Sequence, residues 1–217
     1  MNTPIGQCLR SNIRLRITFS LLAFLIIFID IWLVTHMASI WTRVGLAFVT
    51  LPLYLLLLSG ERHCLGLRIL PIQPLTYWLR LVLIIGLIML IPIAAFLLAA
   101  SILNWEFAIP QMPPDQAGLF FLYGCLLAPF IEEIIYRLVL CFPANTFFGP
   151  IGTILLSGTL FAGLHFLYGN PGPDNFFAGY VFAWVYLKSG SIMVPMIIHS
   201  LGNFVVLLFY MGMWFFS

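Results

Sequence analysis

Two adjacent glutamates, two histidines and an asparagine stand inside strongly apolar stretches of this chain. The sequence reads Glu132-Glu133-Ile-Ile-Tyr136-Arg137, then Phe161-Ala-Gly-Leu-His165, then His199-Ser-Leu-Gly-Asn203. Ionisable groups in apolar segments are costly and mark cavities, partners or function. On a helix, Glu133 and Arg137 are four residues apart and can pair along one face. Such a pair neutralises Glu133. Glu132, turned about 100° away, is expected to face elsewhere and to serve as a general base or acid. His199 and Asn203 share a helix face, as do Phe161 and His165. A carboxylate and a histidine can activate water, and a second histidine with an amide can stabilise a tetrahedral oxyanion. That set of groups suits peptide hydrolysis without a covalent intermediate. Glu132, His165, His199 and Asn203 could also hold a divalent metal. Their spacing is not the His-Glu-x-x-His of a zinc site.

These side chains need helices to carry them, and composition says of what kind. Of the 217 residues, 63% are hydrophobic and 7% charged. A soluble domain has roughly 45–50% apolar and 25% charged residues. Nine basic and seven acidic side chains cannot cover the surface of a soluble fold this size. A soluble enzyme, a disordered chain and a nucleic-acid binder with a basic face are therefore excluded. Continuous apolar runs, rather than alternating ones, exclude an outer-membrane barrel. The fold class expected is all-α: a polytopic helical membrane protein with about seven transmembrane helices.

The expected spans are Ile17–Val34, Ile40–Leu58, Leu81–Leu103, Gly118–Cys141, Ile151–Leu167, Phe176–Leu187 and Ile192–Phe216. Arg10, Arg14 and Arg16 precede the first. It reads as a span rather than a cleaved signal, because the run is long and Asp30 interrupts it. Asp30 is expected either to pair with Arg43 on the next helix or only to stabilise helix packing. The linkers Ser59–Arg80 and Asn104–Ala117 hold Pro or Gly, as loops do. With the N-terminus in the cytoplasm, every Lys and Arg except Arg43 falls on or near the cytoplasmic side. The outer loops then contain Glu106, Asp115 and Asp174. Trp41, Tyr77, Trp78, Trp105 and Trp214 lie near span ends, as an interfacial belt would. At about 1.5 Å per residue, Glu132 and His199 lie ~13 and ~12 Å from their cytoplasmic span ends, but His165 lies ~22 Å from its own. Helix tilt, or a loop at Phe142–Pro150 dipping into the protein, would close the ~10 Å misfit.

In their order on successive helices, Glu132-Glu133-x-x-x-Arg137, Phe161-x-x-x-His165 and His199-x-x-x-Asn203 resemble the CPBP family. Its members are type II CAAX-prenyl endopeptidases and bacterial Abi-like relatives, also called glutamic-type intramembrane proteases. The resemblance spans roughly Gly118–Val206, so residues 1–217 read as one membrane domain. Within it, 118–206 is the catalytic core and 1–117 holds N-terminal spans of no assigned role. The resemblance implies an intramembrane endopeptidase with a cavity inside the helical bundle. Glu132 and His165 would activate water, His199 and Asn203 would stabilise the oxyanion, and Glu133 and Arg137 would support them. Whether a metal takes part is left open by the resemblance. The implied substrate is a protein or peptide with a membrane-embedded or membrane-adjacent C-terminal tail. Processing would be of the CAAX type or of a bacterial sorting, exosortase-like type, in the inner membrane. Membrane lipid is an expected partner and nucleic acid is not. Three rival readings stand beside this one. They are a cysteine protease using Cys125 or Cys141, a non-catalytic bacteriocin-immunity or scaffold protein, and a proton-coupled transporter.

Overall fold

Long apolar runs without interior turn signals become helices, and short polar residues start them. In a computed structural model, which describes residues 3–36, 39–58, 62–104, 110–167, 169–170 and 172–216, the regular elements among those residues are all helical. Helix α1 is Ile13–Thr35, with the Asn12 side chain accepting a hydrogen bond from the Leu15 amide. Helix α2 is Ile40–Leu57, where Ser39 caps the Trp41 amide. Helix α3 is Leu75–Ile102. Helix α4, Pro114–Phe120, runs without a break through a π-helical segment, Phe121–Leu127, into α5, Ala128–Glu133. A second π-helical segment, Ile134–Val139, leads into α6, Leu140–Leu167. Helices α7, Pro173–Ser189, and α8, Met193–Phe216, complete the chain. Gly190, at φ 62°, ends α7 in the left-handed conformation that glycine adopts without penalty.

Among the described residues, three helices are long and apolar enough to cross a membrane: Ile13–Thr35, Ile40–Leu57 and Met193–Phe215. Their outward faces carry exposed Leu21, Phe24, Phe48, Leu56, Val205 and Phe209. Exposed large apolar residues this dense belong against lipid rather than water. The inward faces meet around aromatic edges. The Phe19 ring lies 4.9 Å from Tyr54 and 5.1 Å from Phe142, tying α1 to α2 and α6. Trp78 does not join an interfacial belt: it is buried and packs with Val185 and Val194. Trp105, Glu106 and Tyr168, placed in outer loops from the sequence, lie outside the described residues.

The stretch expected to dip as a loop, Phe142–Pro150, is helical instead. Helix α6 continues past Cys141 with Phe142, Pro143, Ala144 and Asn145 buried. It bends at Gly149, where φ is 65° and ψ −179°. The positive φ explains a glycine there, and Pro150 behind it disfavours a helical conformation for the preceding residue. The bend itself is exposed at Phe147, Phe148 and Ile151, so a helical passage with a bend, rather than a loop, precedes the His165 segment.

Helices α6 and α7 approach closely because glycines face each other. A Cβ on Gly179 would sit 2.9 Å from the Gly158 carbonyl oxygen and 2.9 Å from the Phe161 Cβ. Small residues permit this backbone approach in membrane helices. Gly179→Ala should destabilise the fold by about 1–3 kcal/mol, the usual consequence of overpacking. Denaturant titration in detergent micelles reads the loss, and an unshifted midpoint would mean that α7 can slide away.

Candidate active site

Both π-helical segments have a proline in their wake. Pro129 lacks an N–H, and its ring would clash with the carbonyl four residues back, at Cys125. Pro143 stands in the same relation to Val139. Cys125 lies within the first π segment and Val139 ends the second. Widening the helix relieves each clash. The Glu132–Glu133 pair sits between the two wide segments, at the end of α5.

Both carboxylates face the same imidazole. His199, on α8, has Nδ1 3.0 Å from Glu133 Oε1 and Nε2 3.9 Å from Glu132 Oε2. Adjacent helical residues were expected to serve separate partners, with Glu133 paired to Arg137 and Glu132 facing elsewhere. The Arg137 pair is present: its Nε lies 3.0 Å from Glu133 Oε2, and both side chains are fully buried. The second expectation is corrected, because one imidazole presents two nitrogens on different edges and reaches both neighbours. A carboxylate paired with arginine only accepts hydrogen bonds. His199 Nδ1–H therefore donates to Glu133. In the neutral ring this leaves Nε2 as an acceptor turned toward Glu132. Glu132 Oε2 is buried and has no hydrogen-bond partner.

Aromatic rings hold this cluster in place. Phe182 stacks on His199, centroids 4.6 Å apart and planes 26° from parallel, and Phe161 meets the same ring edge-on at 5.9 Å. The Arg137 guanidinium lies over Phe161 at 4.8 Å and near Phe182 at 5.5 Å. Arg137 Nη1 also donates to Ser157 Oγ, at 3.4 Å.

His165 approaches from the other side of Phe161. Its ring lies 4.4 Å from the Phe161 ring, and its Nδ1–H donates to the Phe161 carbonyl at 3.0 Å. Nε2 is then its basic nitrogen in the neutral form. The half-buried His165 lines a cavity of about 310 Å³ with Thr159, Gly163, Asn175 and Phe176. Asn203, one turn beyond His199, donates Nδ2–H to the carbonyl of Gly124 at 2.7 Å. That leaves it a second amide N–H. The structure thus gathers Glu132, Glu133, Arg137 and His199 in direct contact. His165 stands one ring away, and Asn203 is anchored to the first π segment.

Cys141 is fully buried, and its thiol donates to the Tyr136 carbonyl at 3.2 Å. Among the described residues, no group of three or more His, Cys, Asp or Glu is placed to hold a metal ion. Glu132 and His199 supply two donors of the kinds zinc takes. Sequence reasoning missed Phe182 and Ser157. Phe182 carries no motif, and only its place three residues beyond Gly179, at the close helix crossing, could have pointed to it.

Residues 114–205 match the model of a protein family described as Type II CAAX prenyl endopeptidase Rce1-like. This segment is Rce1-like. The match covers the helices that carry Glu132, His165, His199 and Asn203, and it coincides closely with the stretch Gly118–Val206 on which the CPBP resemblance rests. Helices α1 to α3 precede it. The family is one of proteases, and with three membrane-competent helices the chain has the character of an integral membrane protein. No curated protein and no solved structure matches the chain.

Proposed function

We propose that this protein is an intramembrane endopeptidase that cleaves a peptide bond near the C-terminal, membrane-associated segment of a protein substrate. One observation carries the reading. A buried carboxylate without a hydrogen bond, Glu132 Oε2, lies 3.9 Å from an imidazole nitrogen whose ring is fixed from behind by an ion-paired glutamate. A water touching both groups would have a base on one side and an imidazole on the other. The Rce1-like match over the same helices supports a protease.

Charge counting suggests how the cluster works. Arg137 balances one of the two glutamates. The remaining negative charge is balanced only when one further proton is held between Glu132 and His199. In a low-dielectric interior that balance favours one shared, transferable proton. Glu132 would take a proton from water as the hydroxide adds to the substrate carbonyl. His199, protonated at Nε2 and backed by Glu133, would donate to the oxyanion together with the second amide N–H of Asn203. The proton on Glu132 would then pass to the departing amine. His165 would assist water activation across Phe161. In this reading all seven apolar stretches cross or enter the membrane, the N-terminus lies in the cytoplasm, and the bundle encloses the site. The membrane is a bacterial inner membrane, and the substrate is a CAAX-type or sorting-type tail.

The test is a cleavage assay with purified protein in lipid nanodiscs. Substrates are C-terminal membrane-anchor peptides and prenylated CAAX peptides, each with and without a strong chelator. Cleavage of one class at an unchanged rate in chelator is the expected result. Cleavage that stops in chelator and returns with zinc would replace the two-donor site by a metal-dependent one. Failure to cut any member of a broad panel would turn the reading toward a non-catalytic membrane protein.

A further inference from the structure

The site cluster is tied to a second buried charge group outside the Rce1-like segment. Asp30, near the end of α1, is fully buried. Arg43, on α2, grips it with both prongs: Nε to Oδ1 at 2.7 Å and Nη2 to Oδ2 at 3.0 Å. The Tyr136 hydroxyl donates to Asp30 Oδ2 at 2.7 Å. Tyr136 precedes Arg137 in the second π segment, and its ring meets Phe161 edge-on at 5.9 Å. Its carbonyl accepts from Ser157 Oγ at 2.9 Å, and Ser157 in turn receives Arg137 Nη1. Two neighbouring residues of one π turn are thus held in opposite directions. Tyr136 is held by α1 and α2, and Arg137 by Glu133, Ser157 and the aromatic rings.

A π-helical turn is rare and persists where its surroundings over-determine it. Reverting to α geometry shifts the helical phase by one residue, about 100°. That shift would break the geometry that lets Glu132 and Glu133 both reach His199. A buried ion pair is, besides, often no more stable than an apolar pair of the same size. Packing α1 against α2 needs no Asp30 or Arg43, whereas fixing the Tyr136 hydroxyl does need a buried acceptor.

We propose that Asp30, held by Arg43, is a positioning residue. Acting through the Tyr136 hydroxyl, it fixes the π register that aims both glutamates at His199. The first two helices thereby belong to the catalytic unit, and the inference rests on reading Glu132 as the water-activating carboxylate.

Tyr136→Phe removes one hydroxyl and leaves the Asp30–Arg43 pair whole, so folding is spared. Asp30→Asn with Arg43→Gln removes the pair without stranding a charge. Each is made in the full chain. The readouts are kcat, KM, thermal midpoint and the side-chain ¹⁵N spectrum of His199, assigned with His199→Gln. The expected result is an about tenfold lower kcat for either variant, with KM and midpoint unchanged. Combining the two should add no further loss. The His199 Nδ1–H signal should move or broaden in both. Wild-type kcat with an unmoved signal would overturn the positioning role, as would losses that multiply in the combination. A lowered midpoint with an unmoved signal would reduce the group to a structural pair. If wild type cleaves nothing while the signal moves in both variants, the register coupling stands and the protease reading falls.

Discussion

Glu132→Gln will reduce cleavage by roughly 10²–10⁴-fold, the contribution of a positioned general base, while leaving the protein folded. Glutamine keeps the size of the buried side chain, so its space stays filled. It removes the carboxylate that would accept the proton of water. The Glu133–Arg137 pair and the hydrogen bond from His199 Nδ1 do not involve Glu132 and should survive. The fall should therefore appear in kcat with little change in KM, since Glu132 meets the reacting water rather than the length of the substrate. His199→Ala should abolish cleavage as well, but with a stability loss, because Glu133 Oε1 then has no donor. His165→Ala should abolish it with a smaller loss, because the His165 side chain is half-buried and its hydrogen bond to Phe161 lies within its own helix. Single-turnover cleavage and unfolding measured on the same preparations separate the three. Normal turnover by Glu132→Gln would remove Glu132 from the chemistry and with it the proposed mechanism.

The all-helical character of the chain was legible because long apolar runs survive any detail of packing; among the described residues, three helices have the length and hydropathy to cross a membrane. The motif residues were legible because charges and amides are scarce in such runs. The pairing of Asp30 with Arg43 was among the expected alternatives, since two opposite charges at neighbouring span ends have few other partners. The meeting of both glutamates at His199 was not legible. One imidazole on α8 reaches both neighbours on α5, and α5 is set between two turns that depart from about 3.6 residues per turn, where the sequence reading assumed a regular helix. Pro129 and Pro143, bracketing the glutamates, were the available sign of that departure. The helical passage through Phe142–Pro150 was hidden for a similar reason. Two prolines and a glycine resemble a loop, yet Pro143 sits after a widened turn and Gly149 alone makes the bend. The ring of Phe182 against His199 is a tertiary contact with no local signature.

Arg137→Met should be the most destabilising of the site substitutions, and its consequences can be told apart from catalysis. The guanidinium is fully buried, with one edge on Glu133, one nitrogen near Ser157 and its face over Phe161. Methionine fills much of the volume but leaves Glu133 as a buried carboxylate without its cation. Breaking a buried pair from one side costs about 3–5 kcal/mol, whereas replacing both partners is often neutral. Glu133→Gln with Arg137→Met should therefore recover most of the lost stability in denaturant titrations. It should not recover cleavage, because a neutral amide no longer backs a charged imidazole at His199. Without that backing the oxyanion loses a charged donor, and kcat should remain roughly 10²–10³-fold down, the range seen when an oxyanion donor is removed. A double variant that is both stable and fully active would show the Glu133–Arg137 pair to be a structural tie alone. One that is stable and slow would place Glu133 in the chemistry as the group that keeps His199 protonated toward the substrate.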